Sequence, residues 1–224
     1  MNHEIIITKD GSTSLFLPAL NETYHSRFGA IQEAKHVFIK NGLETYVNKY
    51  NLNQVNVLEM GFGTGLNALM TICAAESLTI SVNYVAIEAF PVPSELLKQL
   101  NYPSLLEMNN QLDNFTKLHA VSWEQKHKIS SSFELTKYQM LFQDIDIKDA
   151  FDVIYFDAFG FDVQPELWTE TLFEKMFKAL KSNGILVTYA CRTVIKKNML
   201  AVGFEVEKLP GAPGKREMLR AFKI

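Results

Sequence analysis

The sequence predicts an α/β fold: a seven-stranded, mostly parallel sheet covered by helices on both faces and finished by an antiparallel edge hairpin. Three observations carry this expectation. From residue 54 onward, short apolar runs alternate with amphipathic stretches, as buried strands joined by crossover helices do. The first such run, Val55 to Met60, is closed by Gly61-Phe62-Gly63-Thr64-Gly65, a tight strand-to-helix turn whose backbone a ligand can approach. The last two runs, Phe204 to Leu209 and Glu217 to Phe222, have no helix between them and so read as a hairpin.

Taken in order, Ile5 to Thr8 reads as a β start, Asp10-Gly11 as a turn, and the stretch around Ala30 to Ile39 as a helix. In that stretch Ile31, Ala34, Val37 and Phe38 share one face. Residues 1–50 are read as an N-terminal cap segment and 51–224 as one compact domain. Within that domain, Thr64 to Ala75 reads as the helix after the glycine loop and Ser81 to Ile87 as the second strand. A helix follows Pro93 through Leu100, with Ser94 as its cap. Thr116 to Val121 reads as the third strand, and Phe133 to Leu141 as an additional strand or hairpin. Phe151 to Phe156 is a strongly apolar strand. Pro165 to Lys181 reads as a helix stopped by Asn183-Gly184, followed by a strand at Ile185 to Ala190 and a helix at Val194 to Val202.

Composition narrows the class. The chain of 224 residues is 47% hydrophobic and 21% charged, enough to bury a core without disulfides or metals. Its two cysteines, Cys73 and Cys191, have no metal-type spacing, and no metal is expected. No apolar run reaches the ~18 residues of a membrane span, and the N-terminus does not read as a signal peptide. The expectation is a cytoplasmic protein without membrane attachment. The net charge of −3 hides an asymmetry: from Lys181 to the end there are nine Lys/Arg and three acids. A basic end on an acidic chain either steers a polyanion or is a solvated surface.

Ligands of open α/β sheets sit beyond the carboxyl ends of the strands. Glu59, the glycine loop, Glu88, Asp144 and Asp157 all fall at such ends or in adjoining loops. The glycine spacing lacks the third glycine of the dinucleotide fingerprint, with Leu66-Asn67-Ala68 in its place. This suits an adenosyl ligand without pyrophosphate. Glu88 is placed to accept hydrogen bonds from ribose hydroxyls, and is otherwise a surface acid before a turn. Asp144 is the candidate for the adenine amino group, with Asp146 and Asp149 close enough to take its place. Asp157 is the candidate to orient or deprotonate a nucleophile, and is otherwise a loop acid. Phe159, Phe161 and Trp168 read singly as core and together as a substrate pocket.

These segments carry a resemblance. Val57-Leu58-Glu59-Met60-Gly61-Phe62-Gly63-Thr64-Gly65-Leu66-Asn67 resembles the cofactor loop of the methyltransferase domain family of the tRNA 5-methylaminomethyl-2-thiouridine biosynthesis proteins. Tyr24-x-Ser26-x-x-Gly29-x-x-x-Glu33 resembles that family's N-terminal signature, and Glu88-Ala89-Phe90-Pro91 its segment after the second strand. Asp157-Ala158-Phe159 with Pro165-Glu166-Leu167-Trp168, and the ending Lys215-Arg216-Glu217-Met218, resemble its later motifs. The resemblance spans roughly residues 20 to 220. It implies a Rossmann-like class I methyltransferase using S-adenosylmethionine. The substrate it implies is tRNA, methylated on the exocyclic amine of 5-aminomethyl-(2-thio)uridine at the wobble position. It implies Asp157 as the catalytic group and Glu59, Gly61, Gly63, Thr64, Gly65, Asn67, Glu88 and Asp144 as cofactor contacts. Tyr24, Ser26, Phe159 and Trp168 are implied to hold substrate, with Lys215 and Arg216 on phosphate.

One departure stands out: Gly160-Phe161-Asp162-Val163-Gln164 replaces the family's Ala-Pro-Ala-Lys-Asn, losing a lysine and gaining an acid. The chain ends where the bifunctional members continue into a flavin-dependent oxidase, so methylation without flavin is expected. A monomer is the working expectation. Three other readings compete: a methyl- or aminopropyltransferase acting on a small amine, a nicotinamide-dependent oxidoreductase, and a non-catalytic adenosyl- or RNA-binding module. The glycine spacing disfavours the second, and the third does not require an acid at 157.

Overall fold

A computed structural model of the chain describes residues 3–106 and 110–224. Near the N-terminus, β1 (Glu4–Ile7), β2 (Thr13–Leu17) and β3 (Glu22–Thr23) form a small antiparallel sheet. Asn101 ties this sheet to the rest of the chain: its Oδ1 accepts from the Thr13 N–H at 2.8 Å and its Nδ2 donates to the Gly11 carbonyl at 2.9 Å.

A continuous helical rod follows, made of α1 (Ala30–Ala34), a π-helical segment (Lys35–Glu44) and α2 (Thr45–Tyr50). Its wide turns have local causes. Asn41 Nδ2 donates to the His36 carbonyl at 2.7 Å and Thr45 Oγ1 to that of Lys40 at 2.8 Å, each five residues back. Gly42 lets the rod lie on the sheet, because a Cβ there would stand 3.0 Å from Val187 and 3.2 Å from Tyr155. Val37, Phe38 and Leu43 therefore share one core with Val57, Val153 and Val187.

The main sheet contains β4 (Gln54–Met60), β5 (Ser81–Ile87), β6 (Lys126–Lys128), β7 (Phe133–Tyr138), β8 (Phe151–Phe156), β9 (Leu180–Thr188), β10 (Glu205–Pro210) and β11 (Glu217–Phe222). Their spatial order is β10-β11-β9-β8-β4-β5-β7-β6. From β7 to β9 the pairings are parallel, while β11 runs antiparallel to both β9 and β10. The expected parallel sheet and edge hairpin are present, with β6 added antiparallel at the opposite edge. Alternate residues of the central strands feed two cores. Val57, Tyr84 and Val153 face one; Leu58, Ile154 and Phe156 face the other, under α7 (Glu170–Ala179) and α8 (Thr193–Ala201). Strands buried on both faces give the near-continuous apolar runs seen in the sequence.

Three expectations are corrected. Thr116 to Val121 is not a strand: it lies mostly in α6 (Gln111–Ala120), where Asn114, Phe115 and Leu118 are buried at helical spacing. The third parallel strand is β7. The helix expected after Pro93 is only the single turn α4 (Ser94–Leu97), with no side-chain cap from Ser94; the equally short α5 (Tyr102–Leu105) follows. Pro165 to Lys181 is not one helix but a 3₁₀ turn (Pro165–Trp168) followed by α7, which begins where Thr169 accepts from the Leu172 N–H. Strand β9 starts at Leu180, and Lys181 to Gly184 bulge out of register against β8, with Asn183 at φ 65°. Among the described residues, no helix is long and apolar enough to cross a membrane.

Candidate active site

The carboxyl ends of β4, β5, β8 and β9 open into a cavity of about 790 Å³. Its floor is the glycine loop leading into α3 (Leu66–Leu78). The N–H groups of Gly61 and Phe62 donate to the Ile87 carbonyl at 2.9 and 3.2 Å, stitching the loop to β5. Gly61 has φ +99°, and a Cβ there would lie 2.6 Å from the Asp157 carbonyl oxygen. Only glycine lets the loop and the end of β8 touch. Gly63, at φ +49°, packs under the Tyr24 ring, and its N–H donates to Glu88 Oε2 at 2.9 Å. Glu88 Oε1 accepts from the Phe90 N–H at 2.8 Å. Each oxygen keeps a lone pair for a ligand hydroxyl.

Asp157 stands at the end of β8, where its N–H donates to the Met60 carbonyl at 3.0 Å. Its Oδ2 accepts from Asn67 Nδ2 at 2.9 Å. Burial pushes its carboxyl up to about 7; Glu33 pushes the same way, while Asn67 and Lys215 pull down. Beneath it, Glu59 is 1% exposed. Burial and then the neighbouring Asp157 hold its carboxyl well above the usual range, opposed by Asn67 and Tyr84. Neither opposing group closes a formed hydrogen bond, and both Glu59 oxygens stay unpartnered. His25, hydrogen-bonded to Ser14 at 2.9 Å, is lowered to about 4, chiefly by burial, and so is neutral near pH 7.

Eight of the residues expected at the site line the cavity: Tyr24, Gly61, Gly63, Thr64, Asn67, Glu88, Asp157 and Phe159. Glu59 and Gly65 lie just behind it. Asp144 ends a 3₁₀ turn (Phe142–Asp144) with an exposed side chain, and its neighbour Gln143 faces the cavity instead. Ser26 does not reach the cavity: its N–H donates to Glu33 at 2.8 Å and its Oγ accepts from Phe28 at 3.2 Å, holding the turn before α1. Trp168 is fully buried, packs on Phe156, and donates from Nε1 to the Phe159 carbonyl at 2.9 Å. It supports the pocket loop from within the core.

Lys215 does not point to solvent for a phosphate. Its ammonium pairs with Glu33 and lies 3.6 Å from the Tyr189 ring centroid. Arg216 is exposed. The sequence reading missed Glu33 as a site group, along with the cavity residues Gln139, Gln143 and Tyr189. Glu33 was legible only as one letter of the N-terminal signature.

The lining has a consistent chemistry. Glu88, Asp157 and Glu166 face the cavity, and among the described residues no Lys or Arg does. Such a pocket disfavours a pyrophosphate and favours a cation. S-adenosylmethionine, a sulfonium with a ribose and no phosphate, fits this donor set: a glycine floor a Cβ would fill, a carboxylate at Glu88, and buried acids nearby.

Comparison with known proteins agrees. Residues 107–224 match the family described as S-adenosyl-L-methionine-dependent methyltransferase. A curated relative from Cupriavidus metallidurans, the tRNA 5-methylaminomethyl-2-thiouridine biosynthesis bifunctional protein MnmC, is 30% identical over 96% of this chain and 33% of its own length. The chain thus spans about a third of such relatives. Among solved structures, MNMC2 from Aquifex aeolicus superposes with a TM-score of 0.75 at 22% identity, over 98% of this chain and 70% of that one. Spermidine synthase from Thermotoga maritima shares the fold at a TM-score of 0.55 and 14% identity, over 95% and 69%. With that match covering more than half its length, the chain belongs to the S-adenosyl-L-methionine-dependent methyltransferase family.

Proposed function

We propose that this methyltransferase acts on tRNA in the cytoplasm, methylating the exocyclic amine of 5-aminomethyl-(2-thio)uridine at the wobble position. The observation that carries the reading is an acid-lined cavity free of Lys and Arg among its described residues, with Asp157 poised at about 7 beside the glycine loop. An alkylammonium is attracted to such a site but is no nucleophile until it loses a proton. Asp157 is the group to take that proton, because its carboxyl is half-titrated near neutral pH. The names of the relatives supply the tRNA substrate.

In this reading Glu88 holds the ribose, and Gly61, Gly63, Thr64 and Gly65 supply the floor. Asn67 fixes the Asp157 carboxylate, and Gln143 or Asp144 meets the adenine edge. Tyr24 and Phe159, edge to face at 5.2 Å, flank the substrate. When bound, S-adenosylmethionine supplies an electrophilic methyl group; positioning the amine in line with it does most of the remaining work.

Phosphate contacts in this reading are fewer than the C-terminal charge count suggested. Six of its nine cations pair with acids: Lys181, Arg192, Lys208, Lys215, Arg220 and Lys223. Among the described residues Lys196, Lys197 and Arg216 remain, and these are assigned to the tRNA backbone.

The test is transfer from labelled S-adenosylmethionine to tRNA carrying 5-aminomethyluridine, followed by nucleoside analysis. The expected product is 5-methylaminomethyluridine. Tight cofactor binding without transfer to tRNA would overturn the substrate and turn attention to a small amine.

A further inference from the structure

Behind the reacting face lies a pair of opposite charges that no cavity contact explains. Glu33, on α1, is 6% exposed. Its Oε2 accepts from the Ser26 N–H at 2.8 Å, and its Oε1 pairs with the Lys215 ammonium from the turn between β10 and β11. The same ammonium sits 3.6 Å from the centroid of Tyr189, just past β9. Tyr189 lines the cavity and donates its hydroxyl to the Ala158 carbonyl at 2.8 Å, one residue beyond Asp157. Three distant segments thus meet at one ion pair directly behind the Asp157 loop.

We propose that the Glu33–Lys215 pair is a positioning device: it seats Tyr189 against the loop and sets how readily Asp157 takes a proton. The inference rests on Asp157 as the proton acceptor. The other groups around Asp157 are Glu59 from β4, Asn67 from α3, Tyr84 from β5 and Tyr189 itself. Burial first, and then neighbouring acids, push Glu59, Tyr84 and Tyr189 well above their usual ranges, so the two tyrosines stay uncharged near pH 7 and ionisation of Glu59 is disfavoured. His25, facing the same ion pair, is held neutral by burial. Glu88 acts from the far side of the glycine loop, on Glu59 and on Tyr24. The two charges acting on Asp157 directly are those of Glu33, which favours its protonated form, and Lys215, which opposes it. Removing one or the other must move Asp157 in opposite directions, whereas a purely structural contact has no such sign.

The experiment is the pH dependence of kcat at saturating tRNA and S-adenosylmethionine. Lys215→Met should move the acid limb to higher pH and Glu33→Gln should move it to lower pH, each by about half a unit or more. The double variant Glu33→Gln/Lys215→Met should return close to the parent, and Lys215→Arg should keep the parental limb. The substrate amine titrates identically throughout, so differences between variants report the enzyme. If Lys215→Met fails to fold because Glu33 is left buried and unpaired, Glu33→Gln and the double variant still decide. A Glu33→Gln limb that coincides with the parent, or a double-variant limb displaced as far as that of Glu33→Gln alone, beside an inactive Asp157→Asn, would overturn the inference. An Asp157→Asn enzyme with undiminished turnover would instead overturn the reading of Asp157 on which it rests.

Discussion

Asp157 is costly where it stands, and that cost is measurable. Its carboxyl is raised by burial from 3.8 to about 7. A group whose proton affinity rises on folding contributes stability below its unfolded value, and that contribution is lost as pH climbs through the folded value. Asp157→Asn keeps an oxygen for Asn67 and cannot ionise. Its stability advantage over the parent should be small near about pH 4 and grow to on the order of 2–4 kcal/mol above about pH 7. Thermal melts across that range check it, and a pH-independent gap would refute it. Turnover of the same variant should fall by ~100-fold or more while cofactor affinity holds. Glu88→Ala removes the proposed ribose acceptor and the partner of the Gly63 and Phe90 N–H groups. Calorimetry should show cofactor binding weakened by at least ~10-fold. Glu88 and Asp157 were legible in the sequence because an acid ending an apolar strand stands out. Gln139, Gln143 and Tyr189 were not, since an uncharged side chain beside a strand end carries no comparable mark.

At the scale of elements, local signals fall short in two ways. The second half of α6 reads as a strand because Leu118, Ala120 and the following Val121 are apolar, and so short a stretch does not distinguish the two periods. What decides is packing: Phe115 and Leu118 bury one stripe in the core that α3 also feeds. The break between Trp168 and α7 was hidden because Thr169 caps without any sequence interruption by Gly or Pro. Thr169→Ala should destabilise the protein by ~0.5–2 kcal/mol in denaturant melts, with unchanged chemistry at saturation. Trp168→Phe keeps most of the core packing but loses the bond to the Phe159 carbonyl. It should lower stability by ~1 kcal/mol and raise KM for tRNA more than it lowers kcat. Equal loss in both parameters would point to a more direct role for Trp168.

For the whole molecule, charge placement overrides charge count. A C-terminal stretch rich in Lys and Arg reads as a phosphate surface, yet most of its cations close ion pairs, four of them with acids outside the stretch. Lys223 reaches Asp149 and Lys181 reaches Asp152, both acids flanking or within β8. Replacing Lys196, Lys197 and Arg216 by alanine should weaken tRNA binding and flatten its salt dependence, by about one unit of log-log slope for each phosphate no longer neutralised. Lys223→Ala should leave that slope unchanged. Filter binding at several salt concentrations measures both, and equal slopes for the two sets would reject the assignment.

The sequence by itself determined the parallel sheet, its hairpin edge, the glycine loop and the acids that follow β5 and β8. Each of these is written in local signals: continuous apolar runs, glycine spacing, and a charge ending a strand. Only the tertiary structure decided that Trp168 supports the pocket from inside the core, that Gln143 rather than Asp144 faces the cavity, and that Lys215 turns inward to Glu33 and Tyr189. Those outcomes depend on which distant segment lies across the sheet. A lysine 182 positions after its glutamate carries no mark of the partner that burial will force upon it.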